Sequence, residues 1–282
     1  MIIDFHTHIF PPEVTAQRQA YLDRDRWFGE LYQDPRAKTA TAEDLVAEMD
    51  RAGVDRAVTF GFAWTDPGLL KANNDYAIDA VRRYPDRLIG FAGVNPANRA
   101  AAVGEIDRCA RLGMQGLGEL MPDAQGFRLD DVRTMTPLVE AATHHQLVLL
   151  THVSEPLGHM YPGKGETGPD QVVRFAEQFP EATLVCAHWG GGLLFHELMP
   201  ELMLTLRNVY YDTAATHLLY RDRIFKLALG LIPDKVLWAT DYPLVSQAAC
   251  LNRLAWSRLA KQESDKILGE NAERVLSGKA VS

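Results

Sequence analysis

Five short stretches of this chain end in side chains that can hold a cation or move a proton. "DFHTH" carries His6 and His8, "GLGEL" carries Glu119, and "LLTHV" carries His152. "VCAHWGGG" carries His188 and "LWATDYP" carries Asp241. His6 and His8 are separated by one residue, so on a strand they share a face. Two neutral imidazoles so placed can bind one metal ion, with Zn–N distances of about 2.0–2.1 Å. The plainer alternative for the pair is two hydrogen-bonded histidines, and for Glu119 an ion pair with a nearby Lys or Arg. Each stretch is mostly apolar up to its polar group, and burying that group without a partner is costly. A carboxylate and several imidazoles converging on one rim are hard to satisfy without a cation.

The elements that must bring them together are legible as apolar runs. Eight candidate strands fall at 2–8, 54–60, 87–94, 114–120, 146–153, 182–189, 209–215 and 235–242. They are near-continuous rather than alternating, as expected of parallel strands covered on both faces. Amphipathic stretches lie between them. At 41–53, Thr41 is an N-cap with Asp44 three residues on, Leu45, Met49 and Ala52 form an apolar stripe, and Gly53 stops the helix. Pro137 should kink or delay the start of the helix after strand 4. Repeated strand–helix units over 1–282 predict a single-domain (β/α)8 barrel of the α/β class. In that fold the strand C-termini form the catalytic rim. Three long connections, 9–40, 121–130 and 154–168, follow strands and therefore belong to that rim, with 9–40 an active-site insertion.

Composition narrows the classes. Hydrophobic residues at 47% and charged residues at 23% fit a globular chain with a substantial core. A net charge of −8 with no basic run disfavours nucleic acid, though not a small anionic substrate. Cys109, Cys186 and Cys250 lie far apart and read as buried free thiols of a reducing cytosol. No signal peptide is apparent and no apolar run reaches about 18 residues, so a cytoplasmic protein without a membrane span is expected.

Other rim residues have two readings each. Trp27, Trp64, Tyr161 and Trp189 are candidate walls for a flat substrate, or loop packing. Arg128 is a candidate grip for a substrate carboxylate, or a solvated charge. His217 follows strand 7 and is a candidate pocket residue. The three glycines of "HWGGG" lack dinucleotide-site spacing and read as close backbone approach or a packing turn. No G-x-S-x-G elbow is present.

Taken in order, "DFHTH", "THVSE" (151–155), "AHWGGG" (187–192), "ATDYP" (239–243) and the tail "ILGENAERVL" (267–276) resemble the amidohydrolase superfamily. The similar branch includes aminocarboxymuconate semialdehyde decarboxylase, γ-resorcylate decarboxylase and lactone hydrolases. The resemblance implies that His6, His8, His152 and Asp241 bind a divalent metal, zinc by default, and that Asp241 is also a general base. It implies that His188 stays off the metal in one-ion members and stabilises the reacting oxygen, and that the chain is a homodimer acting on a small molecule. Glu119 departs from the decarboxylase pattern and resembles a bridging carboxylate of two-ion members, in which case His188 also becomes a ligand. The leading expectation is metal-dependent hydrolysis of a C–O or C–N bond in a small carboxylated or cyclic substrate, by a metal-activated water. The alternatives are non-oxidative decarboxylation of an aromatic or muconate-type acid, and a catalytically silent metal-binding barrel.

Overall fold

The computed structural model describes residues 1–278; the last four positions of the expected domain, 279–282, lie outside the described residues. Eight parallel strands follow one another in sequence order around a barrel. They are β1 (Ile3–His8), β2 (Arg56–Phe60), β3 (Leu88–Ala92), β4 (Gly116–Leu120), β5 (Val148–Thr151), β6 (Leu184–Cys186), β7 (Val209–Asp212) and β8 (Val236–Leu237). The ring closes through Phe5 N–H to Trp238 O at 2.9 Å, Asp241 N–H to His6 O at 3.0 Å and His8 N–H to Tyr242 O at 2.7 Å. The (β/α)8 barrel expected from the sequence is therefore the fold.

Two apolar layers hold it. Ile3, Phe5, Val58, Phe91, Val148 and Val185 fill the barrel interior. Leu45, Met49, Ile78, Ile106, Leu138 and Phe175, from the surrounding helices, pack on the outer faces of the strands. The helix Ala42–Ala52 has the Thr41–Asp44 capping box, and Gly53 ends it in the left-handed region at φ 74°. The helix Val132–His144 differs from expectation. It runs through Pro137 without a delayed start, because Asp131 caps it by accepting from Arg133 N–H. β6 and β8 are shorter than their apolar runs, and positive φ follows each, at His188 and at Asp241.

The insertion at 9–40 is not irregular. It holds three short helices, Pro12–Ala16, Arg18–Arg24 and Arg26–Tyr32. Phe10, Val14 and Phe28 pack there against Phe62, Trp64 and Met121, forming a second small core over the rim. Asp25 ties it down: Oδ1 accepts from Trp27 and Phe28 N–H, each at 3.0 Å, and Oδ2 accepts from Thr65 N–H at 3.0 Å and Thr65 Oγ1–H at 2.9 Å. All three cysteines are free thiols. Among the described residues no helix is long and apolar enough to cross a membrane.

Candidate metal centre

A regular alternation from Ile3 and Phe5, which point into the barrel, would send His6 and His8 outward. The pairing of β1 with β2 slips by one residue between Asp4 and Thr7. That slip returns both imidazoles to the interior, 5.0 and 4.8 Å from the Phe60 ring. β4 does the same. Its pairing with β5 slips between Leu117 and Leu120, and Leu117 and Leu120 both pack outward. The extra residue turns Glu119 in. Such bulges re-aim side chains at the rims of barrels.

The histidines arrive with one nitrogen already committed. His6 Nδ1 lies 2.8 Å from Asp212 Oδ2, and His8 Nδ1 lies 3.1 Å from Gly61 O. Both partners only accept, so each Nδ1 carries a proton, and Nε2 at the mouth is the nitrogen left for a cation or a second proton. Those two Nε2 atoms are 3.2 Å apart. Asp241 Oδ1 lies 3.3 Å from His8 Nε2 and 3.7 Å from His6 Nε2. Glu119 Oε2 lies 3.8 and 3.9 Å from the same nitrogens. The other Glu119 oxygen, Oε1, faces a second group, 3.1 Å from His152 Nδ1 and 3.7 Å from His188 Nε2. His188 Nδ1 is spent on Ala214 O at 3.2 Å. Glu119 thus stands between two sets of donors: His6, His8 and Asp241 on one side, His152 and His188 on the other.

The electrostatics call for positive charge. Burial pushes the His6 imidazolium down, yet the charges of Asp212, Glu119 and Asp241 outweigh it and lift the group to about 10. His188 is lifted to about 9 against burial by its contact with Glu119 and by the charge of Asp241. Burial pushes the Glu119 carboxyl up, but His6 and the hydrogen bonds of His152 and His188 hold it well below its ordinary value. Asp241 is held below its ordinary value against burial by His8, His6 and His188. Lone pairs 3.2 Å apart beside buried carboxylates need protons or a cation between them. Imidazole nitrogens with carboxylate oxygens fit a divalent transition metal.

His188 is aimed by an unusual turn. His188, Trp189, Gly190, Gly191 and Gly192 all have positive φ, between 57° and 91°. A Cβ at Gly191 would lie 2.4 Å from Ser154 O, and one at Gly190 would lie 2.8 Å from the Tyr211 ring. The glycines therefore permit a left-handed turn packed against β5 and β7, the packing reading of "HWGGG".

The remaining rim candidates scatter. Trp64 and Trp189 are fully buried, and their indole N–H groups donate to Asn73 Oδ1 at 2.7 Å and Thr216 Oγ1 at 2.9 Å. Both are packing residues with no face for a substrate. Arg128 is exposed and paired with Asp130 at 3.0 Å, so the carboxylate grip expected of it is already occupied. Trp27 packs against the small core of the insertion. Tyr161 donates to Glu155 at 2.7 Å in the 154–168 loop. His217 Nδ1 has no hydrogen-bond partner among the described residues, and burial and Arg253 hold the ring below its ordinary value.

Two residues near the centre escaped the sequence reading. Asp212 ends β7 behind His6; a carboxylate closing an apolar run was its signal. Tyr32 stacks on Phe28 with centroids 4.5 Å apart and meets Phe10 and Phe62 edge-on. Burial and the charges of Asp241 and Glu119 push its phenol up, which puts the hydroxyl within their field. A cleft of about 460 Å³ opens beside the end of β8, lined by Arg18, Lys38, Glu48, Arg51, Tyr242 and Ser246, with none of the candidate ligands in its wall.

A family model described as Amidohydrolase matches residues 3–278. No curated protein matches the chain. Among solved structures, 5-carboxyvanillate decarboxylase from Sphingomonas paucimobilis is 21% identical, with 98% of each chain covered and a TM-score of 0.78. A 2,6-dihydroxybenzoate decarboxylase complexed with 2,6-dihydroxybenzoate is 19% identical over 98% of this chain and 99% of its own, TM-score 0.76. The 5-carboxyvanillate decarboxylase from Novosphingobium aromaticivorans, complexed with manganese and 4-hydroxy-3-methoxy-5-nitrobenzoic acid, is 21% identical over 98% and 96%, TM-score 0.80. At these identities the likeness shows the fold. It also overturns the hydrolytic expectation: these similar structures are decarboxylases of aromatic acids, which favours the alternative weighed beside it.

Proposed function

Because this chain belongs to the amidohydrolase family, we propose that it is a metal-dependent, non-oxidative decarboxylase of a hydroxylated aromatic acid. The observation that carries this reading is likeness along 98% of the chain to decarboxylases of such acids. The site agrees with it in two ways: a buried donor cluster that calls for positive charge, and beside it the half-buried ring of Tyr32, whose phenol feels the charges of Asp241 and Glu119.

His6, His8 and Asp241 would hold the cation, with Glu119 turned to it through Oε2 and His152 and His188 grouped around Oε1. A divalent ion bound there would polarise oxygens of the acid and draw charge away from the ring. Both zinc and manganese suit these donors, and manganese in a similar decarboxylase supports the latter. Decarboxylation breaks the bond between ring and carboxyl carbons, leaves the electron pair on the ring, and needs one proton there as CO2 departs. Asp241, an ionised carboxylate, is assigned the relay of that proton: it accepts one from water or a hydroxyl of the acid and passes it to the ring carbon, returning to carboxylate. Its side chain is 15% exposed, more open than Glu119 at 5%, and it lies beside His8 at the mouth. His188, with Nδ1 tied to Ala214 O, keeps Nε2 for the developing negative charge. Tyr32 presents its hydroxyl to the ring substituents, while Phe10, Phe28 and Phe62 hold it flat.

The test is direct. The purified chain, loaded with manganese or zinc, is incubated with a panel of hydroxybenzoic acids, and CO2 is measured against loss of the acid. Equimolar CO2 and decarboxylated arene are expected, with loss of at least about 10²-fold in Asp241→Asn, the scale of a lost acid–base group. A loaded chain that releases no CO2 from any member of the panel overturns the reading.

A further inference from the structure

Asp212 joins the two halves of the site from behind, as Glu119 joins them from the front. Its carboxylate is fully buried at the end of β7. Oδ2 accepts from His6 Nδ1–H at 2.8 Å. Oδ1 accepts the backbone N–H of His188 at 3.0 Å and that of Ala214 at 3.0 Å. His6 belongs to one donor group around Glu119, and His188 belongs to the other.

We propose that Asp212 is the positioning residue of the metal centre, setting the tautomer of His6 and pinning the turn that carries His188. A carboxylate only accepts, so the single proton of a neutral His6 ring must sit on Nδ1, and Nε2 is left as a lone pair for a cation. His8 obtains the same outcome from a backbone carbonyl, Gly61 O, which no substitution removes. At His6 the outcome depends on one side chain. The turn after β6 leans on the same carboxylate. His188 sits at φ 57°, a left-handed conformation that costs a non-glycine residue about 1–2 kcal/mol. A hydrogen bond from its N–H to a buried carboxylate is charge-assisted and offsets that cost.

Asp212→Asn separates the two tasks. The amide oxygen still accepts from His188 and Ala214, so the turn is kept. Its NH2 then faces His6 Nδ1, turns that nitrogen into an acceptor, and moves the proton to Nε2. The full-length variant is stripped and titrated with Mn2+ or Zn2+ alone in competition with a chelator. Affinity should fall about 10- to 100-fold, the scale of other lost partners of metal-bound histidines. The metal-free circular dichroism spectrum should be unchanged. Wild-type affinity in a folded Asp212→Asn overturns the proposal. A second measurement does not depend on the variant folding. In zinc-loaded wild type, 15N spectra of histidine should show His6 bonded to its proton at Nδ1. A His6 ring with no proton on Nδ1 overturns the proposal on its own.

Discussion

Glu119 and Tyr32 are the residues at which the site's chemistry can be divided. Glu119 sends one oxygen to each donor group, so Glu119→Ala removes a shared anion from both. Metal retained after dialysis, measured by elemental analysis, should drop well below wild type. Full retention would reduce Glu119 to an ion-pair partner. Tyr32→Phe should leave the cation in place and remove one hydrogen-bond donor from the pocket wall. A lost neutral bond is worth about 0.5–1.5 kcal/mol, so KM for the best acid should rise about 2- to 10-fold with kcat little changed. An unchanged KM would place the hydroxyl away from the substrate. The ligand-type residues were legible in the sequence because a buried imidazole or carboxylate at the end of an apolar run is too costly to be idle. For Trp64 and Trp189 the packing reading holds, a choice left open in the sequence because spacing places them beside the rim without saying which way a ring rotates. Asp212 carried the same signal, a carboxylate closing an apolar run, but its place behind His6 is set by the closed barrel and is not readable from order along the chain.

Among the elements, the apolar runs gave away all eight strands, while their phase was hidden. One residue slipped in β1 and one in β4 decide whether His6, His8 and Glu119 face the mouth or the helices. Hydrophobic pattern does not show such slips, because both strands are near-continuously buried and read much the same in either register. The left-handed turn after β6 was foreshadowed by its glycines but not in extent. Gly191→Ala should be severe: the new Cβ would sit 2.4 Å from Ser154 O in a conformation alanine resists. About 1–3 kcal/mol of stability should be lost in a urea titration, and His152, two residues from Ser154, should lose order with it. An unaffected midpoint would mean that the turn has slack. In the insertion, Asp25→Asn puts an amide where Thr65 needs an acceptor. Hydrogen exchange across 9–40 should accelerate while the barrel strands stay protected; uniform protection would show that apolar packing alone holds the insertion.

At the scale of the whole molecule, the centre ties stability to pH and to metal. In the metal-free protein, His6 is raised from an ordinary value of 6.5 to about 10, and His188 to about 9. A raised histidine stabilises the fold fully below its unfolded value and loses that contribution as pH climbs through the folded one. Metal-free Tm should therefore fall between about pH 7 and 10. Glu119 and Asp241 are lowered, so their contribution is lost at the opposite end, as pH drops below the ordinary carboxylate range. A bound cation takes the place of the histidine protons, so the loaded protein should keep its Tm at the alkaline end. Ion at a hundredfold over its dissociation constant adds about 2.7 kcal/mol. Melts of chelated and loaded samples at pH 6 and 9.5 check this; parallel curves would mean that the histidines do not feel the carboxylates.

The hydrogen bond from Asp241 N–H to His6 O joins the last strand of the ring to the first. A chain still emerging from the ribosome therefore displays the paired imidazoles of β1 throughout nearly all of its translation without the carboxylate that completes them. Ion capture by the full donor set must wait until β8 has been made and has docked. A polypeptide cut short before Asp241 would lack that carboxylate, and only the closed ring presents every donor at once.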